Sequence, residues 1–111
     1  MNTTIEPFIQ LDDKDYMMNF SLGYHGHGAP TFNIDTISIG YPVADWSRGE
    51  VRPFKVKNGT NASVGMIMLA AADIVKKECK KGNNYAPHVW SDYCIERITI
   101  RDNVATIEFG S

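Results

Sequence analysis

Three histidines, two cysteines and a scatter of aspartates are the side chains of this sequence whose types suit catalysis or metal binding. His25 and His27 stand two apart in a glycine-rich loop, GYHGHGAP (23–30), and His88 lies far downstream, near Cys94. Zinc needs neutral imidazoles or thiolates converging at about 2.0 to 2.3 Å. His25, His27, His88 and Cys94 would supply them only if two distant loops met, and nothing in their spacing demands it. Exposed loop histidines are the plainer reading, so no metal and no other cofactor is expected. The acids of 12–15 (Asp12, Asp13, Asp15) lack the spacing and loop glycine of an EF-hand and read as a solvated turn.

A general acid–base site would set a histidine beside Asp35, Asp45 or Asp92 in a cleft. The sequence holds no nucleophile elbow, no lysine-bearing phosphate loop and no HExxH pair. A small enzyme using loop histidines and aspartates is therefore the rival reading, and a non-enzymatic binding module the main one. Inhibitors, immunity factors and phage-encoded antidefence proteins are the kinds of accessory protein this composition suits.

Two surfaces suit binding. Lys55, Lys57, Asn58, Gly59, Thr60, Asn61 and Ser63 precede or open a helix, whose first N–H groups favour a phosphate or carboxylate. Arg52 lies upstream as further countercharge. The expected ligand is an anionic or nucleotide-like small molecule, and simple helix capping is the plainer alternative. The second surface is aromatic. Tyr41, Trp46, Phe54, Trp90 and Tyr93 fall in or beside loops, either as lids on the core or as anchors for a protein partner. Trp46 with Arg48, and His88 with Trp90, are the candidate anchor pairs.

The element that must position these groups is a helix over 61–81, closed by Gly82. Thr60 or Asn61 is the expected N-cap. Gly82 suits the left-handed position beyond the last turn, and Lys76, Lys77, Lys80 and Lys81 meet the negative end of the dipole. Val64, Ile67, Met68, Ala71, Ile74 and Val75 form one apolar stripe, extended by Cys79. Met66, Leu69 and Ala70 fall on the opposite face, which calls for cover. A symmetric homodimer through Met66 and Leu69 is the simplest source of it, and the 42–48 segment with Trp46 is the alternative.

The rest of the chain reads as β. Residues 4–11 form a strand bent or confined to an edge by Pro7. Residues 16–24 alternate as a second strand paired with the first. The strand over 31–41 changes phase near Asp35 and Thr36, which implies a break. A turn at 42–49, capped by Asp45 or Ser47, leads to a weak strand over 51–56 interrupted by Pro53. The C-terminus is the clearest hairpin: 93–101 and 104–109 flank Asp102 and Asn103. Its register sets Arg97 opposite Glu108, Ile98 opposite Ile107 and Thr99 opposite Thr106. One face is then Ile98, Ile100, Ala105, Ile107 and Phe109.

The expected fold is a single α+β domain over 1–111: a mostly antiparallel β-sheet of five to six strands with the central helix packed on one face. A net charge of −2 lacks the basic face that nucleic acid requires. The longest apolar run, 64–72, is far below the roughly 20 residues of a membrane span. The first ten residues lack a signal core, so both cysteines are expected as free thiols and the compartment as cytoplasmic.

Overall fold

Alternating apolar residues in the last third of the chain build the centre of the sheet. The computed structural model describes residues 2–12, 30–56, 61–85 and 88–110. Strands β7 (Cys94–Arg101) and β8 (Val104–Gly110) form the expected hairpin, with Arg97, Ile98 and Thr99 opposite Glu108, Ile107 and Thr106. Asp102 takes the left-handed conformation at φ 54°, as a short polar side chain in a two-residue turn can. A bulge between Ile95 and Arg97 shifts the register near the far end. Ile98, Ile100, Ala105, Ile107 and Phe109 are all buried, so the apolar face is the core face.

The N-terminal segment splits into β1 (Asn2–Ile5) and β2 (Ile9–Gln10), both antiparallel to β7. Pro7 and the positive φ of Phe8, 50°, separate them. The first strand thus pairs with the C-terminal hairpin; its expected partner, 16–24, and the His25–His27 loop lie outside the described residues.

The phase change near Asp35 is a break between two sheets. β3 (Thr31–Phe32) pairs with β6 (Ala62–Ser63), whereas β4 (Thr36–Ile39) joins the main sheet. There β4 lies parallel to β8 and antiparallel to β5 (Arg52–Lys55). The main path runs β1-β7-β8-β4-β5, with β2 also on β7, so the sheet is mixed and has six strands among the described residues. Pro53 sits in β5, an edge strand, where a missing N–H is tolerated. A single 3-10 turn, Trp46–Arg48, follows Asp45, whose side chain makes no capping bond.

Helix α1 spans Val64–Lys80, shorter than 61–81 at its start. Ala62 and Ser63 are held extended by β3, so the helix cannot begin earlier. Its N-cap is Ser63, not Thr60 or Asn61: the Ser63 hydroxyl accepts from the Met66 N–H at 3.2 Å. Thr60 lies outside the described residues, and Asn61 stands at φ 59° with its N–H donated to Asn33 Oδ1. At the other end Gly82 takes φ 79°, and the N–H groups of Lys81, Gly82 and Asn83 close on the carbonyls of Lys77, Cys79 and Glu78. Asp73 and Lys77 pair at 2.9 Å, as their i, i+4 spacing suggests.

Val64, Ile67, Met68, Ala71 and Val75 are buried against the sheet in one cluster with the hairpin face, and Ile74 is half-buried beside it. Among the described residues the fold is therefore α+β, one α-helix on a six-stranded sheet with a small second sheet at its start. A radius of gyration of 13.1 Å equals the value of about 13 Å expected for a compact domain of this length. No helix among the described residues is long and apolar enough to cross a membrane.

Candidate functional site

One residue of the buried helix face is not apolar. Glu78 follows Ala71 by two full turns and points to the same side, yet it is only 5% exposed. Its Oε1 lies 2.6 Å from Arg52 Nη1, and Asn83 Nδ2 donates to the same oxygen at 3.3 Å. Lys81 Nζ stands 3.3 Å from Oε2. Burial by itself pushes the Glu78 carboxyl up; the bonds from Arg52, Lys81 and Asn83, with the charge of Arg52, outweigh it and bring the net shift below the ordinary 4.5. The carboxylate is thus charged at neutral pH.

Arg52, at the start of β5, meets Glu78 near the end of α1, while Lys55 at the other end of the strand borders a groove with Ala70 and Asp73. Its Nη1 also donates to the Val43 carbonyl at 3.2 Å, and its guanidinium carbon sits 4.9 Å from the Phe54 ring centroid. Three contacts fix one planar group. The chain after Gly82 then folds back, and the Tyr85 N–H donates to the Pro42 carbonyl at 2.8 Å. Val43, Arg52, Gly82, Asn83, Asn84 and Tyr85 together line an open cleft of about 500 Å³. The arrangement offers a fixed cation, amide groups and an exposed phenol ring to a small polar ligand.

Of the residues expected to bind an anion at the start of the helix, Lys55, Asn61 and Ser63 are among those described. Lys57, Asn58, Gly59 and Thr60 lie outside the described residues. Ser63 is 4% exposed and its hydroxyl is engaged as the cap, while Asn61 is exposed. Lys55 donates to Thr36 Oγ1 at 3.3 Å and borders Ala70, Asp73, Ile74 and Lys77 along a groove of about 700 Å³, beside the middle of α1. Arg52, expected as countercharge at the start of the helix, stands instead at its end.

The aromatic candidates divide. Trp46 (55% exposed), Tyr41, Tyr93 and His88 form a chain of edge-to-face contacts at centroid distances of 5.8, 5.5 and 5.9 Å. Tyr93 is fully buried, a core residue in this chain. Arg48 pairs with Asp45 at 3.6 Å on the surface. Trp90 is half-buried, with Lys76 Nζ 4.8 Å from its ring. Met66 and Leu69 are 49% and 42% exposed. The 42–48 segment, the intramolecular alternative for covering them, leaves them open.

His88 and Trp90 share a second cleft, of about 220 Å³, with Cys79, Lys80, Asn84 and Val89. His88 Nδ1 is 3.8 Å from Asp92 Oδ2, so a thiol, an imidazole and a carboxylate stand in one neighbourhood. Burial, and then the nearby Glu78 carboxylate, push the Cys79 thiol above its ordinary 9.0. It is protonated at neutral pH and lacks the thiolate a nucleophile needs. Cys94 is raised as well, by burial and by Glu96, and both thiols are free. Among the described residues no three His, Cys, Asp or Glu side chains group as metal ligands.

Comparison of the chain with protein-family models, curated proteins and solved structures finds no match.

The Glu78–Arg52 pair escaped the sequence reading, although a signal was present. A glutamate seven residues after Ala71 in an apolar stripe must either leave the core or bring a cation into it. Which cation arrives depends on the β5–α1 packing.

Proposed function

We propose that the chain is a small binding module whose ligand occupies the cleft between the 42–52 segment and the 82–85 turn. The observation that carries this reading is the buried Glu78 carboxylate, which locks the Arg52 guanidinium into the cleft wall. Ligand sites combine a concave surface with a few polar groups held in place, and Arg52 is held by Glu78, Val43 and Phe54. Mapping amide shifts on adding a small-molecule fragment library tests it. Fragments should move Gly82 to Tyr85 selectively, and Tyr85→Ala should weaken that response. A library that moves no amide of 82–85 would end the reading.

A second reading, binding of a protein partner, rests on the exposed Met66 and Leu69. Each is about half exposed and so forfeits about 1 kcal/mol relative to full burial. A second copy of the chain is the simplest cover, and sedimentation of a Met66→Lys, Leu69→Lys variant tests it.

A further inference from the structure

Arg52 makes both of its polar contacts, to Glu78 and to the Val43 carbonyl, through Nη1 alone. Its Nε and Nη2 groups have no hydrogen-bond partner among the described residues, and 41% of the side chain faces solvent. The planar group therefore keeps one edge, Nε–H and Nη2–H, unused and fixed in orientation. We propose that this edge receives an oxyanion, a small carboxylate or phosphate, in two parallel hydrogen bonds. The proposal rests on the cleft being the ligand site and names the chemistry of its ligand.

Charge supports it. Arg52 and Lys81 bring two cations to the single Glu78 carboxylate, and none of the six residues lining the cleft is acidic. The negative end of α1 also lies here, but its last carbonyls are already taken by Lys81, Gly82 and Asn83. The fork spacing of a guanidinium matches both oxygens of a carboxylate, and such paired bonds are stronger than those between neutral groups. Asn83 adds an acceptor: its Nδ2 is spent on Glu78, and its Oδ1, with no donor among the described residues, can receive a hydroxyl or ammonium next to the anion.

The experiment compares succinate, its neutral twin succinamide and inorganic phosphate on the wild-type protein by ¹H–¹⁵N NMR, following the Arg52 Nε–H and the amides of 82–85. An oxyanion should move the Nε–H signal and bind about tenfold tighter than succinamide, the ratio a charge-assisted bond gives over a neutral one. The tighter of succinate and phosphate names the class. A paired Arg52→Met, Glu78→Leu variant removes the fork without stranding the carboxylate. With its amide spectrum still that of a folded protein, it should lose oxyanion binding altogether. Succinamide binding as tightly as succinate at 82–85 would overturn the oxyanion inference while leaving the cleft a ligand site. No response to any of the three probes, while other fragments move 82–85, would also overturn it.

Discussion

Replacing Arg52 by alanine leaves the Glu78 carboxylate buried without its closest partner. Removing one member of a buried pair costs about 3 to 5 kcal/mol. Two features lower that figure here. Lys81 Nζ, at 3.3 Å, and Asn83 remain, and the Arg52 side chain is 41% exposed, so water screens part of the original attraction. The expected loss at pH 7 is about 2 to 3 kcal/mol, a fall in Tm of about 10 °C for a domain of this size. The sign of the pH dependence gives a sharper test. In the wild type the folded pKa of Glu78 lies below its ordinary 4.5. The stability it confers is complete above that value and is lost as pH falls through the lowered pKa. In Arg52→Ala burial acts with fewer opposing bonds, so the folded pKa rises. A raised pKa favours the folded state at low pH and penalises it as pH climbs. The two proteins should therefore differ most at pH 7 and much less at pH 3, because the gap closes as pH falls through the lowered wild-type pKa, below 4.5. Urea unfolding followed by circular dichroism at both pH values measures this. A loss below 1 kcal/mol at pH 7, or an equal gap at both pH values, would refute the account of Glu78.

Ile67 is 1% exposed in the centre of the helix stripe, and Ile67→Ala should cost about 2 to 4 kcal/mol in the same assay. Lys80, exposed on the opposite face, should change by less than about 0.5 kcal/mol when made alanine. For the outer helix face, the wild type should sediment as a dimer and the folded Met66→Lys, Leu69→Lys variant as a monomer. A wild type that is monomeric at every concentration removes self-association through this face.

The secondary structure was legible wherever the signal is local. The hairpin register followed from period-two alternation around Asp102 and Asn103, because complementary pairs align only one way. Both the apolar helix stripe and Gly82 as its terminator needed only the 3.6-residue period and a left-handed residue. The break near Asp35 was visible as a change of side-chain phase. The N-cap was not, because Thr60, Asn61 and Ser63 are all good caps by type. The choice of Ser63 is made by pairing of Ala62 and Ser63 with β3, roughly thirty residues earlier in the chain.

The same division governs the candidate site. The sequence alone determined that a helix carries one apolar face into a β-sheet and that its outer face keeps Met66 and Leu69, while Glu78 on the inner face, implied by the same period, went unread. Only the tertiary structure decided that Arg52 would answer Glu78. Arg52 comes from an edge strand twenty-six positions away, and it reaches Glu78 because β5 packs beside α1. Periodicity reports which face a side chain takes, since that depends on bonds within one element. It carries no information on which distant charge meets that face, because the packing of separate elements sets that, and a buried carboxylate accepts any cation the packing delivers.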